Sequence, residues 1–412
     1  MPLELKCSRL LGDAFGRDRI LAYSTVLLAL ELGVFAFLVA GTHGWVVPLT
    51  QPNTTDFASF YAAGSLADAG APQLAYDQAR HHAAEERATA AGIEYQFFYY
   101  PPVFLLLCAA LARLPYMAAF VLFEAATLVL YLLVGRTILG GHDRAALIPL
   151  LAFPAVFWTL GLGQNAFLTA ALFGAATFCV DRRPAVAGVL FGALCYKPHF
   201  ALLVPVALAA GRHWRALATA FVSALGLCSA SLALFGWETW QAFLSTAARS
   251  HATYESGRIA FGGFVSPFGA ALLLGGSPPT AYSVQAAATI AAALLVAIVW
   301  RRGLCLPIRA ATLAAATLVA IPVVLIYDLM LAAIAAAWLM RAGGVAGLAT
   351  WEKAVLAVLF LLSSNPRGIA EAWHIPVAPL VALTLVAVIA RRFIVQQIEC
   401  GLFLWRKRLS AY

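Results

Sequence analysis

The sequence predicts an all-α polytopic membrane protein, and three observations carry that reading. Of its 412 residues, 63% are hydrophobic and only 11% are charged, whereas a water-soluble domain is roughly 45–50% apolar and about 25% charged. The mean hydropathy is +0.86, an apolar surplus that water cannot accommodate. The basic residues fall in short clusters between apolar runs: Arg182-Arg183, Arg212 with Arg215, Arg301-Arg302, Arg391-Arg392 and Arg406-Lys407-Arg408. Clusters of this kind hold membrane loops on the cytoplasmic side. The formal charge of +8 therefore marks topology and anionic headgroups, and gives no reason to invoke nucleic acid. Composition also excludes a chain of soluble domains, disorder and coiled coil.

The elements follow in order. A spanning helix needs about 20 mostly apolar residues. Residues 20–40 supply the first, with Lys6, Arg9, Arg17 and Arg19 before it and Glu31 inside it. This run is longer than a signal-peptide core and has no clean cleavage site, so residues 1–19 are expected in the cytoplasm. Residues 41–98 form the longest polar insertion, and one crossing places it outside. Residues 102–112 and 116–139 read as two helices joined near Pro115. Arg136, His142 and Arg144 disturb the alternation: two crossings put them outside, whereas one crossing plus a partial helix does not. Residues 145–180 carry no charge and hold two short helices, broken at Gly161-Leu162-Gly163-Gln164-Asn165.

From Arg183 to Arg212 the chain leaves and returns within about 28 residues, or about 42 Å of helix, less than two crossings of a roughly 30 Å core. Lys197-Pro198-His199 is thus expected at the tip of short or broken helices, inside protein or facing a wet cavity. Residues 216–237 are a clear span, and residues 238–258 a second outer insertion. Residues 259–300 contain Pro267, Gly275-Gly276 and Pro278-Pro279, which read as a re-entrant piece plus one span. Residues 311–339 contain Pro322 and Asp328, residues 355–363 are short, and residues 375–390 close the membrane part. The expectation is about 10–12 helices in one domain over residues 20–391, with a basic cytoplasmic tail over residues 392–412.

Few polar residues sit in this apolar chain, and each needs a reason. Asp56 precedes Phe57-Ala58-Ser59-Phe60-Tyr61 and reads either as a helix cap or as a general base whose pKa partial burial raises. The run Tyr95–Pro102 reads as an interfacial aromatic belt or as an aromatic wall over a lipid-linked ligand. Gln164 and Asn165 cap broken helices or face a ligand. Lys197 needs a partner, and a phosphate at the membrane interface would supply one. His199 reads as structural or supporting. The stretch 248–258 gathers Arg249, His251, Tyr254, Glu255 and Arg258; it is a solvated loop or a cationic phosphate site. Asp328 is an intramembrane acid or a helix-end residue bonded to backbone. His81-His82 with Glu85-Glu86 reads as a solvated helix face, without metal-ligand spacing. The seven cysteines form no CxxC, and several lie inside apolar runs and read as small buried hydrophobes. No nucleotide-binding motif is present.

Several blocks now resemble a known group. They are Thr55-Asp56-Phe57-Ala58-Ser59-Phe60-Tyr61-Ala62-Ala63-Gly64 with Leu74-Ala75-Tyr76-Asp77; Phe98-Tyr99-Tyr100-Pro101-Pro102 with Leu114-Pro115; Gly161-Leu162-Gly163-Gln164-Asn165; Tyr196-Lys197-Pro198; and, more weakly, Tyr327-Asp328-Leu329. In order and spacing the chain resembles glycosyltransferase family 87 of the GT-C superfamily. That group includes polyprenyl-phosphomannose-dependent mannosyltransferases of phosphatidylinositol mannoside synthesis. The resemblance implies a GT-C-type fold with extracytoplasmic loop helices in a bacterial plasma membrane, its site facing the periplasm or exterior. It implies transfer of mannose or another sugar from a polyprenyl-phosphate donor to a lipid or glycan hydroxyl.

By the same resemblance Asp56 matches the family's catalytic acid, and His251 a histidine that contacts the donor. The leaving phosphate would be held by Lys197, His251 or Arg258. Tyr61, Tyr99 and Tyr254, with Gln164, Asn165, His199, Glu255 and Asp328, would contact substrate. No metal, cofactor or obligate protein partner is implied. Three rivals remain open: a transporter or flippase of lipid-linked sugars, a lipid-carrier glycan ligase and a non-catalytic scaffold. A transporter would show two matching halves, which the sequence lacks.

Overall fold

The computed structural model describes residues 16–41, 55–141 and 144–409. Lys6, Cys7, Arg9, residues 42–54 of the first insertion and His142 lie outside the described residues. The helices run, in order, α1 Arg17–Gly41, α2 Phe57–Asp68, α3 Gln78–Ala88, α4 Pro102–Leu111, α5 Tyr116–Ile138, α6 Leu147–Leu151, α7 Pro154–Leu162, α8 Ala166–Cys179, α9 Pro184–Ala193 and α10 Val204–Ala210. After these come α11 Trp214–Arg249, α12 His251–Glu255, α13 Pro267–Leu273, α14 Pro278–Arg301, α15 Leu306–Ala320, α16 Met330–Gly347, α17 Thr350–Leu362, α18 Pro366–Trp373 and α19 Val377–Leu409. Proline stands in the first turn of α4, α7, α9, α13, α14 and α18. There its missing N–H costs nothing and its fixed φ starts the helix.

The chain is all-α and polytopic. Among the described residues, six helices are long and apolar enough to cross a membrane, and five shorter apolar helices accompany them. The expected set of spans thus divides into full crossings and partial ones, because Pro, Gly and polar residues interrupt the apolar runs. The long helices turn large apolar side chains outward: Met117, Phe221 and Leu234 are 63%, 69% and 70% exposed, as lipid-facing positions should be. The second insertion is largely a continuation of α11, which bends at Gly236 (φ 75°) and runs on to Arg249. The tail continues α19 to Leu409.

Alanine-rich α15 is the central strut, with every residue from Ile308 to Ala320 buried. Small residues let helices approach closely in an apolar medium. On α9, a Cβ at Gly188 or Gly192 would collide with the Ala216 or Ala220 carbonyl of α11. A second cluster packs Phe57, Phe60, Phe104 and Phe123 from α2, α4 and α5. It fixes α2, and so the residue that precedes it.

The breaks have their backbone satisfied inside the protein, as a low-dielectric setting requires. Between α15 and α16 the chain runs through an open stretch, where Val265 N–H donates to the Val324 carbonyl at 2.8 Å, and then a 3-10 turn, Ile326–Leu329. Between α9 and α10 it forms two 3-10 turns, Leu194–Tyr196 and Pro198–Ala201, with Lys197 at their junction.

Candidate active site

Asp56 stands at the start of α2 but does not cap it, since its side chain makes no cap hydrogen bond. Its backbone N–H donates to the Leu162 carbonyl at 2.7 Å, which ties it to the break between α7 and α8. That break needs Gly163: its φ is +66°, and a Cβ there would press on Phe57. Gln164 Nε2 then donates to Asp56 Oδ2 at 2.7 Å. The Tyr100 hydroxyl donates to Gln164 Oε1 at 3.3 Å, which sets the orientation of the amide. Burial raises the Asp56 carboxyl above its usual range, and the Gln164 hydrogen bond opposes this without cancelling it. The residue as a whole keeps part of its surface open.

The next residue reaches a second centre. Asn165 also fails to cap its helix; its Oδ1 accepts from Lys197 Nζ at 3.3 Å. Lys197 Nζ donates to Asp328 Oδ1 at 2.7 Å, with both side chains almost wholly buried. Asp328 Oδ2 accepts from the Leu325 N–H at 3.1 Å, so the acid is both an ion-pair partner and a helix-end acceptor. The ammonium sits 4.8 Å from the Phe200 ring and 5.2 Å from the Tyr327 ring. Tyr327 thus packs against the ammonium of this second centre. Asn165 Nδ2 is buried without a close hydrogen bond and has the Tyr100 hydroxyl as its neighbour.

The aromatic run forms a wall beside them. Phe97 and Tyr99 stack at 5.5 Å, the Tyr99 hydroxyl meets Thr253 Oγ1 at 2.8 Å, and Tyr254 lies 5.7 Å from Tyr99. The Arg258 guanidinium sits 5.4 Å over Phe97. The stretch 248–258 is therefore partly docked and not simply a solvated loop. Other expected site residues have partners of their own. His251 is exposed, its Nδ1 donating to the Ala248 carbonyl of its own turn. Glu255 accepts from the Tyr282 hydroxyl. The Tyr61 hydroxyl donates to the Leu114 carbonyl. His199 is exposed beside Phe200. Among the described residues no group of three or more His, Cys, Asp or Glu side chains stands ready for a metal ion.

The sequence model of Glycosyltransferase family 87 matches residues 98–327. That is more than half of the 412 residues. The chain belongs to glycosyltransferase family 87. No curated protein and no solved structure matches it. Membership and the multi-pass architecture make it a membrane glycosyltransferase of GT-C type. The family match contains Tyr100, Gln164, Asn165, Lys197 and Tyr327; Asp328 lies just past its end, and Asp56 lies well before its start.

His81 and Glu85 are not on a solvated face: both are fully buried, 3.5 Å apart. The i, i+4 spacing is that of a helix face, but α3 turns this face onto α2 and the aromatic run. His81 Nε2 donates to the Ser59 carbonyl at 3.0 Å, and Glu85 Oε2 accepts from Gln96 N–H at 3.2 Å. Burial pushes the Glu85 carboxyl up to about 8 and the His81 imidazole down to about 4, so both are neutral near pH 7. The linkage signs then oppose each other. Below about pH 6.5 the unfolded His81 binds the extra proton, while from about 4.5 to 8 the folded Glu85 does. Between about 6.5 and 8 only Glu85 of this pair acts, and its contribution to stability falls as pH rises. The melting temperature in detergent should therefore drop across that window in the native chain. Glu85→Gln, whose amide serves both partners, should flatten the slope; an unchanged slope would assign it to another group.

Proposed function

We propose that this protein transfers a sugar from a polyprenyl-phosphate donor to a lipid or glycan hydroxyl at the extracytoplasmic face of a bacterial plasma membrane. The observation that carries this is the pairing of two centres through consecutive residues. Gln164 holds a carboxylate of raised basicity, and Asn165 holds the buried Lys197–Asp328 pair. A glycosyl transfer needs both a base for the attacking hydroxyl and positive charge for the departing phosphate.

The acceptor hydroxyl hydrogen-bonds to Asp56 Oδ1, because Oδ2 is engaged by Gln164. Its oxygen attacks the anomeric carbon as the bond from that carbon to the phosphate oxygen breaks. The proton passes to Asp56, and polyprenyl phosphate leaves with the bonding pair. One displacement inverts the anomeric centre. Lys197 has three N–H donors, two of which are used by Asp328 and Asn165. The third, with Asn165 Nδ2, serves the phosphate. Arg258 adds charge from the rim, and Tyr99 and Tyr254 line the sugar. His251, exposed and bonded to its own turn, is left outside this machinery. Mannose is the sugar that the family resemblance favours, with another hexose or a pentose equally compatible with these groups.

The test is reconstitution of the purified protein into liposomes with a polyprenyl-phosphate donor labelled in its sugar and with extracted membrane lipids as acceptors. Label should become covalently attached to an acceptor, with release of polyprenyl phosphate. Movement of intact donor between leaflets, without a new linkage, would establish a flippase instead.

A further inference from the structure

A cavity of about 760 Å³ lies between the C-terminal end of α2, the start of the 3-10 turn Pro72–Tyr76, α4 and the bend of α11. It is not part of the site above. Asp56 begins α2 and Asp68 ends it, a separation of about 18 Å along the helix. The cavity marks a change in chemistry along α11. Before Gly236 this helix shows bare apolar side chains, with Leu234 70% exposed; just after it come Trp237, 57% exposed, and Glu238. A Cβ at Gly236 would meet nothing within 4 Å, so the glycine is there for its φ of +75° and the bend that this φ makes. An apolar run that ends at an exposed tryptophan and an acid is the signature of the lipid–water boundary. The cavity therefore opens at the level of lipid headgroups.

Its polar groups define what fits. Arg113 Nε donates to Asp68 Oδ1 at 2.9 Å, with both side chains substantially exposed. A guanidinium carries five N–H donors, and those beyond Nε remain for a phosphate, which it matches in geometry. Glu238 has neither a hydrogen bond nor an ion pair from its side chain among the described residues, and it faces the same space. A purely anionic head would meet two carboxylates. A purely cationic head would leave the guanidinium unused. We infer that this cavity binds the headgroup of a zwitterionic amino-phospholipid, its phosphate on Arg113 and its ammonium on Glu238, with acyl chains along Leu234 and Trp237.

The experiment reads lipid retention, so it stands whether or not the catalytic reading does. The full-length protein is reconstituted in equal parts phosphatidylethanolamine and phosphatidylglycerol, re-extracted in mild detergent and examined by native mass spectrometry. Phosphatidylethanolamine should remain bound in at least about fivefold excess over phosphatidylglycerol. Arg113→Ala should lower the retention of both lipids, and Glu238→Gln should lose the excess, each with an unchanged melting temperature. Glu238→Lys should reverse the preference toward phosphatidylglycerol. Equal retention of the two lipids by the native protein, no retained lipid, or a Glu238→Gln variant with native selectivity would each overturn the inference.

Discussion

Asp56→Asn should lower sugar transfer by about 10²–10⁴-fold, the usual contribution of a positioned general base, while the protein still folds and inserts. The substitution is chosen for its geometry. An asparagine Oδ1 accepts from Gln164 Nε2 as the carboxylate does, and the backbone bond to Leu162 is untouched. The change also removes a desolvated charge, so its effect on stability is neutral or favourable. The lost quantity is the proton acceptor alone. The rate of transfer in the native protein should fall as pH drops through the Asp56 pKa, and this limb should lie above the normal aspartate range because burial raises it. Both features are read in one liposome assay across pH. Full activity in the variant, or an acid limb that survives in it, would move the base to another residue.

What could be seen in the sequence, and what could not, follows from the same physics. Asp56, Lys197 and Asp328 stood out because a chain with 11% charge has few reasons to place charge in apolar surroundings. The breaks at Gly163 and Pro198 were legible for the same kind of reason: left-handed φ and a missing N–H leave a signature in residue type. Pairing was not legible. Nothing local says that Lys197 meets Asp328, 131 residues away, so the lysine looked free for a phosphate. Tyr100 and Tyr327 are hidden by kind, one among the five aromatics of the belt and one beside an acid. His81 and Glu85 were misread because the polar face of a helix is the same string of residues whether water or protein covers it. Only the packing of α3 against Ser59 and the aromatic run decides between them.

The buried pair supplies the second large effect. Removing one partner leaves an uncompensated charge in a low-dielectric interior, at a cost of about 3–5 kcal/mol. Lys197→Met strands the Asp328 carboxylate with only the Leu325 N–H, and Asp328→Leu strands the ammonium beside Asn165 Oδ1. Each single variant should melt far below the native protein and transfer no sugar. The double variant Lys197→Met with Asp328→Leu carries no buried charge, and replacing a buried pair by apolar groups of similar volume is often neutral or stabilising. Its melting temperature should return near the native value. Transfer should not return, because Asn165 loses its cation and the departing phosphate loses its counter-charge. A double variant that is both stable and active would make the pair a structural clasp and leave phosphate stabilisation to Asn165 and Arg258. Recovery of stability without activity assigns Lys197 to the reaction itself, separating the two roles that any single substitution confounds.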